Sequence, residues 1–153
     1  MMFFGADCSS LAVHGVVLNA KEEIVSLHKW GSAEKDFTAR FPEILVGFYQ
    51  EFSRIKEVHF AAIEAAIFIQ NPKTTIAIAN VIGAVWAFLL SKKMGVVIID
   101  NRQWKKEVLG KGNASKEDIK NFAKDRWGDV FPEQDYADAA CIALWMKRRT
   151  ISW

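Results

Sequence analysis

Apolar positions along the chain fall into short runs and longer helical repeats. Met2 to Ala6 is a compact apolar run ending at Asp7. It predicts a buried strand, followed by a turn at Cys8-Ser9-Ser10. Leu11 to Leu18 predicts a second strand, and Asn19 to Glu22 a short hairpin connection. Polar and apolar residues alternate from Glu23 to Trp30, the period of a third strand. After a polar loop over Gly31 to Thr38, Pro42 sits in a helical first turn, and Ile44, Leu45, Phe48 and Phe52 repeat at helical spacing through Arg54. Glu57 to Ile63 predicts a fourth strand ending at Glu64, and Ala65 to Lys73 a connection. A long helix then runs from about Thr74 to Lys93, and Gly95 to Ile99 is a fifth strand. Arg102 to Leu109 is a short helix, and Gly110 to Asn113 a basic loop. Ser115, with Glu117 and Asp118 behind it, caps a helix reaching Trp127. A last helix begins at Gln134 and ends in Lys147-Arg148-Arg149.

This order predicts one α/β domain over residues 1–153: three antiparallel strands continued by two parallel ones, with helices on both faces. It resembles the ribonuclease H-like fold. Sites in open α/β sheets form outside the carboxyl ends of the strands. With the first and fourth strands as neighbours, Asp7 and Glu64 lie side by side. The last helix brings Asp135 and Asp138, spaced to share one helical face. Like charges beside an alanine-rich packing surface repel each other and resist desolvation, and a divalent cation resolves both problems. Any one of these acids alone reads as a surface or capping residue. Four of them at matching element ends point to a metal site.

All-oxygen ligand sets suit Mg²⁺ or Mn²⁺. Four acids can hold two such ions, typically roughly 3.5–4 Å apart, with Asp7 between them, Glu64 completing one site and Asp138 with Asp135 the other. The chemistry this predicts is phosphodiester hydrolysis.

Charge sharpens the picture. Residues 1–71 hold 6 Lys/Arg against 9 Asp/Glu, whereas residues 72–153 hold 14 against 9. A basic excess confined to the second half suits a polyanionic partner, although a solvated basic face has the same composition. Cys8 and Cys141 are read as buried free thiols, which suits a reducing cytoplasm. No signal peptide is visible in the opening residues, and the apolar stretch Thr75 to Leu90, broken by Asn80 and Gly83, falls short of a membrane span. His14, His28 and His59 lie in predicted strands and read as structural.

Four blocks carry a resemblance to the RuvC family of Holliday junction resolvases. Phe4-Gly5-Ala6-Asp7-Cys8-Ser9-Ser10 is similar to the first-strand motif, and Ala62-Ile63-Glu64 through Asn71 to the second acidic block. Lys105 to Lys116 resembles a lysine-flanked, glycine-containing block. Asp135-Tyr136-Ala137-Asp138-Ala139-Ala140 is similar to the closing Asp/His-x-x-Asp-Ala motif. The resemblance implies a homodimeric, metal-dependent endonuclease that nicks two strands of a four-way DNA junction symmetrically, in the cytoplasm of a bacterium or phage-infected host. It carries basic roles onto Lys105 and Lys116, with Lys116 reaching the scissile phosphate; charge alone adds Arg102, Lys106 and Lys111. The long helix is the expected dimer surface. Cys8-Ser9-Ser10 stands where the family has Pro-Gly-Ser. Ile67 aligns with the family's wedging aromatic, which leaves Phe68 beside it as the candidate wedge. The chain's brevity suggests a phage-type member. Two other readings stay open: a broader nuclease for flaps, other branched DNA or RNA–DNA hybrids, and a non-catalytic module that binds branched DNA.

Overall fold

The computed structural model describes residues 1–55, 57–67 and 69–150. Its elements run β1 (Met2–Cys8), β2 (Ala12–Asn19), β3 (Ile24–Gly31), α1 (Phe37–Phe52), β4 (Val58–Glu64), α2 (Pro72–Ser91), β5 (Gly95–Ile99), α3 (Asn101–Leu109), α4 (Lys116–Trp127) and α5 (Gln134–Thr150). The sheet order is β3-β2-β1-β4-β5. The β1–β2 and β2–β3 pairs are antiparallel, and β1–β4 and β4–β5 are parallel. This is the mixed five-stranded sheet expected of a ribonuclease H-like fold.

Alternate side chains of the central strands feed two cores. Phe4, Ala6, Val13 and Val17 point to α1 and α2, packing with Ile44, Phe48, Val81, Val85 and Leu89. Phe3, Val16, Leu18 and Ala62 point to the other side, where Trp104, Ile119 and the buried run Ala139 to Met146 cover them. Helices therefore lie on both faces, as the strand period demands. Gly5 sets how closely α5 approaches β1. A Cβ at that position would run into the carbonyl oxygen of Ala139 and the amide nitrogen of Ala143, so the helix backbone lies directly on the strand.

Three boundaries depart from the sequence expectation. Strand β1 continues through Cys8, which pairs with Val13, so the turn comes after it. Helix α1 begins at Phe37 rather than near Pro42, which lies inside it. Tertiary bonds hold that early start. Buried Arg40 donates to the carbonyls of Ser10 at 2.7 Å, Glu34 at 3.0 Å and Lys35 at 2.8 Å. Helix α2 begins at Pro72, the first helical residue, behind an Asn71 cap that accepts from the Lys73 amide at 3.0 Å. It also corrects the hydropathy reading: its 20 residues are long and apolar enough to cross a membrane by length and composition. Here it lays Val81, Val85 and Leu89 into the core and leaves Ile76, Trp86 and Leu90 exposed.

Candidate active site

Strand register delivers two acids to one end of the sheet. Ala6 pairs with Ile63 in the parallel β1–β4 ladder, so Asp7 and Glu64 leave adjacent strands together. The close α5–β1 contact at Gly5 brings the first turns of α5 to the same end. Carboxylate oxygens of Asp7, Asp135 and Asp138 all lie within 4.8 Å of one another. Glu64 stands outside that triple, yet its charge acts on both Asp7 and Asp138.

Burial and mutual repulsion dominate the electrostatics. Burial first, then the charges of Asp138, Glu64 and Asp135, hold the Asp7 carboxyl well above the usual carboxylate range. Burial also pushes Asp138 up to about 7, against a hydrogen bond from the Gln134 amide at 3.3 Å. Glu64 is raised by burial and pulled back by hydrogen bonds from Trp104 and Asn101. Asp135 stays closer to solvent than Asp138. Its side chain is 53% exposed, at the solvent edge of the first turn. Such a set of hard oxygen donors, partly desolvated and mutually repelling, fits Mg²⁺ or Mn²⁺. Cys8 and Cys141 are buried, unpaired thiols whose pKa burial raises further, so neither is a ready nucleophile.

The basic residues divide. Lys105 on α3 lies near the acids: its charge lowers the pKa of Glu64 and Asp138, and its Nζ sits 5.7 Å from the Trp104 ring centre. Lys116 is exposed at the first position of α4. Lys111 pairs with Asp118 at 2.9 Å. Arg102 and Lys106 are exposed on α3. Ile67 is 55% exposed beyond the end of β4. Phe68 lies outside the described residues.

Several neighbours of the acids had no sequence signal. His14, opposite Asp7 in the β1–β2 ladder, is buried. Its Nε2 lies 2.7 Å from a Glu133 oxygen and its Nδ1 3.8 Å from Asp135, while Lys29 holds the other Glu133 oxygen at 2.7 Å. This cluster ties β2 and β3 to the start of α5. Asn101 and Trp104, which bond Glu64, belong to the helix after β5. Their nearness follows from the β4–β5 pairing of Glu64 with Ile99, and the strand order alone pointed there.

Known proteins agree with this architecture. The family described as crossover junction endodeoxyribonuclease RuvC matches residues 9–145, a span that takes in Glu64, Asp135 and Asp138 and opens just after Asp7. A RuvC from Psychrobacter sp. (strain PRwf-1) is 26% identical over 152 residues, covering 94% of this chain and 78% of that protein. A RuvC from Neisseria gonorrhoeae is 31% identical over 111 residues, 71% of this chain and 60% of that protein. Thermus thermophilus RuvC, solved in complex with a Holliday junction substrate, superposes with a TM-score of 0.81 at 19% identity, covering 99% of this chain and 97% of that one. The yeast mitochondrial Holliday junction resolvase superposes with a TM-score of 0.63 at 13% identity, over 95% of this chain and 78% of that one. Three of the four acids, Glu64, Asp135 and Asp138, thus fall within the matched span and Asp7 lies just before it, and the chain belongs to the RuvC family.

Proposed function

We propose that this protein is a metal-dependent endodeoxyribonuclease that resolves four-way DNA junctions by paired symmetric nicks. The observation that carries the reading is the convergence of four carboxylates, from β1, β4 and α5, in a partly desolvated cluster whose mutual repulsion a divalent cation would relieve. Asp7, Glu64, Asp135 and Asp138 are the ligands, for two Mg²⁺ or Mn²⁺ ions. Such ions, when bound, activate a water and neutralise charge on the scissile phosphate. The protein holds the carboxylates together at one sheet end before substrate arrives, so their geometry is set by the fold. Asp7, on the central strand and acted on by all three other acids, takes the shared position. Lys105 supplies positive charge beside the acids. Lys116, exposed and without an ion-pair partner among the described residues, reaches toward the phosphate. Arg102, Lys106 and Lys111 bind the DNA backbone.

A two-fold junction calls for two sites, and a homodimer provides them. The exposed side of α2, with Ile76, Trp86, Leu90 and an open Gly83, supports pairing there. The protein acts as a single nuclease domain in the cytoplasm of a bacterial or phage-infected cell.

The deciding experiment is cleavage of a synthetic four-way junction with Mg²⁺ or Mn²⁺, comparing the native protein with Asp7→Asn and Asp138→Asn. Paired nicks from the native protein, absent in both variants, are expected. Preference for flaps or RNA–DNA hybrids would keep the site and change the substrate. Tight junction binding without cutting under either metal would make the protein a binding module.

A further inference from the structure

Glu64 is gripped on one side only. Its Oε2 accepts two N–H donors, the Trp104 indole at 2.5 Å and the Asn101 side-chain amide at 3.0 Å. Among the described residues, Oε1 accepts none. The Trp104 ring and the helix backbone that carries Asn101 are held independently of Glu64. Trp104 is fully buried in the core beneath α5. Asp100 caps α3 by accepting from the amides of Arg102 at 2.9 Å and Gln103 at 3.3 Å. The Ala65 amide donates to the Ile99 carbonyl at 2.8 Å, which closes the gap between the end of β4 and the start of α3. Glutamate has more side-chain torsions than aspartate, and a carboxylate free to rotate can present either oxygen or both. With Oε2 saturated by two donors on a rigid helix, one oxygen and one direction remain.

We propose that Trp104 and Asn101 are positioning residues that hold Glu64 as a one-oxygen ligand, with Oε1 turned to the divalent cation. The inference rests on the reading of Glu64 as a metal ligand. Partners that orient a ligating carboxylate typically contribute roughly 10–100-fold to metal affinity. Trp104 is the larger contributor of the two, because its N–H is buried and its ring cannot move aside. Asn101 is less buried and more easily replaced by water.

The test measures Mn²⁺ binding to the full chain by electron paramagnetic resonance, alongside four-way junction binding in EDTA and the Mg²⁺ concentration that gives half-maximal cleavage. Trp104→Phe removes the N–H and keeps an aromatic ring in the core. It is expected to weaken Mn²⁺ binding about 10-fold or more. The half-maximal Mg²⁺ concentration should rise by a similar factor, with junction binding in EDTA unchanged and cleavage recovering as Mg²⁺ is raised. Asn101→Ala removes one donor without touching the core. It should move the same quantities in the same direction by less, and it keeps the test decisive where the tryptophan variant folds poorly. Glu64→Gln is the reference. Native-like Mn²⁺ binding by both Trp104→Phe and Asn101→Ala, with Glu64→Gln weakened, overturns the positioning role and leaves the metal reading intact. Native-like binding by Glu64→Gln overturns the metal reading and the positioning role with it.

Discussion

Replacing Gly5 by alanine adds one methyl group at the contact that brings α5 to β1. That methyl would lie 3.0 Å from the Ala143 Cα, and closer still to the Ala139 carbonyl oxygen and the Ala143 amide nitrogen. All of these are backbone atoms, so no side chain can swing aside. Relieving the overlap requires α5 to retreat from the strand by on the order of 1 Å, to reach ordinary non-bonded distances. Overpacking of this kind costs about 1–3 kcal/mol, and a backbone clash belongs at the upper end. For a chain of this size about 3 kcal/mol lowers the melting temperature by roughly 6–12 °C. The same retreat carries Asp135 and Asp138 away from Asp7. A misplacement near 1 Å at a reacting centre costs about 10²-fold in rate. Gly47→Ala is the control: it sits within α1, and its added Cβ would meet the Trp30 ring at an ordinary 3.6 Å. Alanine there should raise stability by up to about 1 kcal/mol through helix propensity. Scanning calorimetry and junction cleavage on the two variants form the assay. A Gly5→Ala protein that melts within a degree of native and cuts at the native rate would refute the account of how α5 sets the site.

Burial raises Asp138 from 3.8 to about 7, a gap corresponding to on the order of 4 kcal/mol, and Asp7 and Glu64 are raised as well. Between the unfolded and folded pKa values the native state keeps a proton that the unfolded chain has lost, so stability falls as pH rises. In EDTA the melting temperature should therefore drop between about pH 4 and 7, and millimolar Mg²⁺ should restore it at the upper end; a rise with pH in EDTA across that window would contradict the assignment. Arg40→Ala removes three hydrogen bonds to the carbonyls that anchor the start of α1 and should cost about 2–4 kcal/mol in urea denaturation. Arg40→Lys should recover little of it, since one ammonium cannot reproduce the guanidinium fork. Trp86→Asp, on the exposed side of α2, should convert a dimer into monomers in sedimentation, while a variant that still sediments as a dimer would move the interface elsewhere.

Elements specified by local chemistry were legible in the chain. β5 spans Gly95–Ile99 as its apolar run predicts, and α4 starts at the Ser115 capping box and stops before Gly128. The four acids were legible because each stands beside an apolar run, and the strand order then set Asp7 next to Glu64. Much of what escaped depends on contacts made outside the element itself. α1 starts early because Arg40 finds carbonyls at Ser10, Glu34 and Lys35, and no pattern within the helix announces them. Pro72 did carry a local signal, a proline behind an Asn cap, that the connection reading passed over. His14 reads as an ordinary strand residue until Glu133 arrives from the other end of the chain. Trp104 reads as the apolar residue of a short amphipathic helix, and only packing reveals that its N–H is spent on Glu64.

The contact between Gly5 and α5 also orders events in time. The acids come from β1, β4 and α5, and α5 is the last described element to leave the ribosome. Domains generally fold as units, so this one waits for its last helix. Asp7 and Glu64 leave the ribosome with β1 and β4, ahead of the helix that carries Asp135 and Asp138. Until Ala139 and Ala143 settle against Gly5, the growing polypeptide carries half of its carboxylate set. Translation itself thus withholds activity from every incomplete copy.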